Sequence, residues 1–147
     1  MYVAFALLAD AANVALDGKL NILGVFDVVR AAGFPTVLPR VHLVARLKAQ
    51  VGDVGPHRLG LQVTGPGGAT LLTAEIELTI HPLAAGVAEV DIPLVQALDV
   101  QLQRPGPHAV LLMLDGQVAA QLQLAVHGSG TSTPPAFQPP TGGMLVS

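Results

Sequence analysis

Alternation with a period of two runs through this chain and limits what it can fold into. In RVHLVARLKAQ, residues 40–50, Val41, Leu43, Ala45, Leu47 and Ala49 take one face. Arg40, His42, Arg46 and Lys48 take the other, and only Val44 breaks the pattern. Successive side chains of a strand point to opposite sides of its sheet, so this spacing predicts a strand with one buried face. HRLGLQVT (57–64) sends Leu59, Leu61 and Val63 inward. TLLTAEIELTIH (70–81) does so with Leu72, Ala74, Ile76, Leu78 and Ile80, and QVAAQLQLAV (117–126) with Val118, Ala120, Leu122, Leu124 and Val126. A helix needs apolar residues three and four apart, and no segment carries a convincing stripe of that kind.

Residues 2–9 and 109–114 are apolar on both faces. In the first, Val3, Phe5 and Leu7 read as one side and Ala4, Ala6 and Leu8 as the other. Such strands are covered twice, by a second layer or by a partner. Asp17-Gly18 and Asp115-Gly116 each separate two apolar runs and predict type I′ hairpins. The first hairpin pairs residues 2–9 with residues 20–29. FPTVLP (34–39) loses backbone donors to proline and belongs at an edge or between sheets. Residues 94–99 predict a single helical turn. The tripeptide Gly-Pro-His opens strands at Gly55 and again at Gly106, and we read this as convergence on a good strand entry rather than as symmetry. Together these signals predict an all-β fold, an antiparallel β-sandwich of about eight strands over residues 1–127. Residues 128–147, rich in Gly, Pro, Ser and Thr and without a charged side chain, read as a disordered C-terminal tail. Its apolar end, Met144, Leu145 and Val146, is a candidate to dock on another chain.

Composition narrows the function classes. Charged residues are 12% of the 147-residue chain, about half the usual share, against 51% hydrophobic. A surface this poor in charge leaves apolar area exposed or buries it between subunits. The net charge of −3 gives no pull towards nucleic acid or anionic lipid, and 3% aromatics with no Trp are a poor set for stacking bases. There is no Cys, which excludes disulfides, thiolate metal sites and Cys nucleophiles. The first positive charge is Lys19, so residues 1–14 lack a signal peptide's basic region. No apolar run approaches a membrane span. The expected location is the cytoplasm.

Candidate sites are few. Asp10, Asn13 and Asp17 are spaced three and four apart with no following Glu, unlike a calcium loop, and read as turn and strand-end residues. A weak cation or small-ligand site at these loops is the alternative. His42, His57, His81, His108 and His127 lack the spacing that sets two imidazoles on one face, so they read as surface residues rather than metal ligands. Ser129, Ser132 and Ser147 are the only serines and fall in the tail, which cannot hold a catalytic hydroxyl rigidly. Glu75 and Glu77 share a strand face and read as cross-strand partners of Arg40, Arg46 and Lys48. Without interleaved aromatics, that basic stripe reads as a solvated face. No catalytic residue, metal ligand or cofactor site emerges.

The segments FALLADAAN (5–13), DGKLNILGVFD (17–27), FPTVLPR (34–40) and LVARL (43–47) resemble the opening of an uncharacterised bacterial family, a domain of unknown function. The likeness continues loosely to PGPHAVLLMLDG (105–116), where His108 stands at a position the family pattern more often gives to Tyr. The resemblance implies a β-sandwich and carries over no activity. The reading is therefore a non-enzymatic structural or protein-interaction module that self-associates. A homo-oligomer is expected, a dimer before higher rings, with a further protein partner open and with no nucleic acid or membrane partner.

Overall fold

Leu43, Leu47, Leu61, Val63, Leu112 and Leu124, each almost fully buried, come from alternating positions of four different strands and meet in one core. The computed structural model describes residues 1–129 and arranges them as nine strands: β1 (Tyr2–Val14), β2 (Leu20–Phe26), β3 (Val28–Ala31), β4 (Thr36–Gln50), β5 (Gly55–Thr64), β6 (Thr70–Ile80), β7 (Glu89–Leu102), β8 (Gly106–Leu114) and β9 (Gln117–Gly128). They make a four-stranded sheet in the order β2-β1-β4-β7 and a five-stranded sheet in the order β3-β9-β8-β5-β6. Neighbours run antiparallel except β3, which lies parallel to β9. The predicted all-β sandwich is the observed fold. Residues 130–147, including Met144, Leu145 and Val146, lie outside the described residues, and so does the docking assigned to them.

The alternation assigns most faces correctly. Val41, Leu43, Ala45, Leu47 and Ala49 are all buried, as are Leu59, Leu61 and Val63. Ile76, Leu78 and Leu122 pack against the core but stay half-exposed, because β6 is an edge strand and the open part of β9 has one neighbour.

Bulges break the alternation where the pattern misplaces residues. The β1–β4 register shifts between Val3 and Phe5. Val3, Ala6 and Leu8 therefore share the core side, not Val3, Phe5 and Leu7. A second shift opposite Leu112 and Met113 turns Val118 out of the core, leaving it 60% exposed. An extra residue reverses the facing of everything beyond it, and periodicity alone does not reveal it. A third shift spans Leu38 to Val41, where Arg40 has a φ of 53° and its N–H donates to Asp99 Oδ1 at 2.9 Å. Pro39 sits in this irregular stretch, where β4 is paired with β7 and not with β1, consistent with the expected edge position.

Two local predictions are corrected. Residues 94–99 are strand rather than helix, since β7 pairs with β4 along nearly its whole length. Asp115 and Gly116 have φ of 49° and 84°, as a type I′ turn requires, but at Asp17-Gly18 only the glycine is left-handed. That hairpin closes through a longer loop, with Ala15 N–H donating to Lys19 O and Gly18 N–H to Ala15 O. The added loop residues supply the reversal, so Asp17 avoids a strained backbone. The two Gly-Pro-His entries, at Gly55 and Gly106, both open strands of the five-stranded sheet.

Candidate functional site

The polar residues of the β1–β2 region are each held locally. Asn13 Oδ1 accepts from Asn21 Nδ2 at 2.8 Å across the hairpin. Asp17 accepts from the Lys19 backbone N–H at 3.2 Å and pairs with Lys19 Nζ at 3.1 Å, which lowers its carboxyl pKa. Asp10 lies further along β1, against Gly24. The described residues contain no group of three or more His, Asp or Glu placed to hold a metal.

The basic stripe finds different partners from those expected. Lys48 pairs with Asp91 at 2.9 Å and Glu89 at 3.4 Å on β7, and its pKa is raised chiefly by Asp91. Arg46 stacks over the Phe5 ring, 5.6 Å from its centre. Glu77 instead faces Arg58 and Glu75 faces Gly60, because β6 pairs with β5 in the other sheet. Linear sequence does not say which strands share a sheet, and that choice decides which charges meet.

Two histidines depart from the surface reading. His108 is 2% exposed: alternation along β8 turns it towards the core, where its Nδ1 meets Gly106 O at 3.0 Å. His57 Nδ1 lies 2.7 Å from Asp115 Oδ2 and Nε2 lies 2.6 Å from Asp53 O. The second carboxylate oxygen of Asp115 accepts from Arg58 N–H, and Asp53 also takes the N-terminal ammonium at 2.7 Å. With both ring nitrogens engaged, His57 ties the β8–β9 turn to the β4–β5 connection.

One side of the sandwich has a different character. β2 pairs with residues 8–14 of β1 only, and β3 with residues 125–128 of β9 only. Among the described residues, residues 2–7 of β1 and 117–124 of β9 therefore keep an unpaired backbone edge on the same side. Between the sheets on that side runs a groove of about 440 Å³ lined by Ala6, Leu8, Phe26, Asp27 and Leu122, among others. A second hollow of about 410 Å³ lies along Tyr2, Val3, Gln117 and Ala119.

Neither open edge carries a charged residue or a proline: the segments read YVAFAL and QVAAQLQL. Of the other edges, β2 (LNILGVF) is likewise uncharged, while β7 is guarded by Glu89, Asp91, Pro93 and Asp99, β6 by Glu75 and Glu77, and β3 by its brevity and Arg30. Exposed apolar side chains collect on the unguarded side, with Leu23 71% and Val25 62% exposed on β2, beside Val28, Val118 and Tyr2. An edge without charge, proline or cover is a template for another strand. Sequence reading missed this site because it paired residues 2–9 with 20–29, which would have closed the β1 edge. The available signal was the lack of charge in both segments.

A family profile matches residues 4–127, from the first strand to the last. The chain belongs to a family of unknown function, DUF6941. The family span takes in residues 4–7 of the β1 edge, the whole open edge of β9 and the groove between them. No curated protein gives a significant match. Among solved structures, the chain is similar to an alkylpurine DNA glycosylase of Pseudomonas fluorescens bound to DNA containing an abasic-site analogue, with 14% identity and a TM-score of 0.42. That match covers 83% of this chain and 30% of the glycosylase, so the chain spans under a third of that protein. It is also similar to an immunoglobulin-like protein from Pseudomonas aeruginosa, with 14% identity, a TM-score of 0.31, and 84% and 98% of the two chains covered. Likenesses this distant carry no argument about function.

Proposed function

We propose that this family member is a non-enzymatic, cytoplasmic protein-interaction module that self-associates through its unguarded strand edges. The observation that carries the reading is the pairing of two uncharged, proline-free edges on one side of the sandwich, where exposed Leu and Val also gather. Added strands gain main-chain hydrogen bonds from such edges and side-chain burial from the groove between them. The occupied nitrogens of His57 and the local bonding of Asn13 and Asp17 favour a structural over a catalytic or cation-binding use of these polar groups. Sedimentation at micromolar concentration tests the reading: a species heavier than the 15.0 kDa chain supports it, and a clean monomer counts against it.

A further inference from the structure

We infer that the unguarded side is completed by a second copy of this chain, with β2 of each copy filling the place left open beside β1 of the other. The inference rests on the self-association reading above and specifies its geometry. The side has the outline of a step. In its upper half β2 and β3 project beyond β1 and β9; in its lower half both positions are vacant among the described residues. A twofold axis perpendicular to the sheets exchanges upper and lower halves while keeping each layer level with its counterpart. The projection of one copy then enters the recess of the other, the self-complementary contact that a closed dimer needs.

The lengths agree. β2 has seven residues and the open stretch of β1 has six, so two copies of β2 end to end, fourteen residues, span the thirteen-residue β1, while β3 with four residues covers half of the open stretch of β9. Since Leu8 faces Phe26 and Val14 faces Leu20 within one chain, the rotation carries Phe26 of the second copy into the row just below Leu7 and Leu23 of the second copy to the level of the bulge that holds Ala4 between Val3 and Phe5. The two strands run parallel there, a pairing only slightly weaker than the antiparallel one. β2 is itself uncharged, LNILGVF, so all three charge-free edges enter the contact while the guarded edges of β6 and β7 stay outside.

Charge agrees too. Arg30, the one charged residue of β3, sits beside His127, and the same rotation carries it to the level of Gln117, next to the acidic Asp115 turn of the second copy. The other candidate occupant is the segment holding Met144, Leu145 and Val146.

The chain has no cysteine, so crosslinking can be placed at will. In the full-length Ala4→Cys, Leu23→Cys double variant, the two thiols of one chain sit about 20 Å apart along the strands, because Leu23 lies opposite Ala11 rather than Ala4 and the bulge at Ala4 shortens the span. Oxidation should therefore give a covalent dimer, with each single variant giving much less. Leu23→Lys, at an exposed position, should lose the dimer in sedimentation while keeping the wild-type circular-dichroism spectrum, its melting temperature lowered only by the lost association. A dimer that resists Leu23→Lys and does not crosslink would overturn this arrangement and leave self-association standing. A monomer without crosslinking would remove both. Loss of the dimer in full-length Leu145→Asp but not in Leu23→Lys would assign the recess to the C-terminal segment and overturn the inference.

Discussion

Asp10 packs its side chain onto the bare Cα of Gly24. A Cβ built on Gly24 would meet Asp10 Cγ at 2.9 Å and Asp10 Cβ at 3.0 Å, and Gly24 has a φ of 69°. The glycine is thus required twice, by backbone and by neighbour. The two residues stand opposite each other where β1 and β2 pair, between the rungs Ala9–Val25 and Ala11–Leu23. Their presence in the LADAAN and NILGVFD segments therefore has a structural reason. Gly24→Ala should cost about 1–2 kcal/mol from the left-handed backbone alone, with a further loss from the displaced carboxylate. Asp10→Ala in the same chain should restore part of that further loss but not the backbone strain. Denaturant unfolding of the single and double variants measures the coupling, and strictly additive costs would show that the contact is idle.

Leu43 sits at the centre of the core and is 1% exposed. Leu43→Ala should destabilise the fold by about 2–5 kcal/mol, the lost transfer energy plus the cavity left behind. Gln123→Ala, on the outer face of β9, should change stability by no more than about 0.5 kcal/mol. Ile76→Ala, on the edge strand β6, should fall between them. Urea midpoints of the three variants rank the sites, and a cost for Ile76→Ala equal to that for Leu43→Ala would contradict the placement of β6 at an edge.

Much of this was legible in the sequence, for a definite reason. Alternation reports burial directly, so Val41 to Ala49 and Leu59 to Val63 were assigned correctly. Bulges and strand order leave no periodic trace. Val118 was misplaced by a single extra residue, and Lys48 was matched to the wrong acids because β4 pairs with β7 rather than β6. The open edges escaped for the same reason: how far β2 runs along β1 is set by where the chain crosses between sheets at Asp27, whose carbonyl accepts from Ala125 N–H. Composition held a trace of the open edges, since a chain with 12% charge has few charges to place on its strands.

Calcium should not stabilise this protein. Asn13 and Asp17 already spend their oxygens on Asn21 and Lys19, and Asp10 lies apart against Gly24. A ligand that binds the folded state and not the unfolded one raises the melting temperature, and does so further the more its concentration exceeds its dissociation constant. Thermal melts with and without millimolar calcium should coincide, and a clear rise would reinstate a cation site at these loops.

His57 should make stability depend on pH near neutrality. Both ring nitrogens face acceptor oxygens, Asp115 Oδ2 and Asp53 O, and both can donate only when the ring is protonated. The Asp115 carboxylate, followed by the Asp53 carbonyl, raises the His57 pKa in the folded chain. The folded state therefore holds this proton more tightly than the unfolded state does. The resulting stabilisation is fully present below the unfolded value of about 6.5 and is lost as pH rises through the raised folded value. Asp115 works in the opposite range: His57 lowers its pKa, so its contribution persists above the ordinary carboxylate range and disappears in acid. Between about pH 6 and about pH 8 the melting temperature should fall with rising pH, and His57→Gln should flatten that slope by lowering the acid end. A wild-type melting temperature that rises across this window would mean that the ring is neutral in the fold, and that one of its two contacts is not a hydrogen bond.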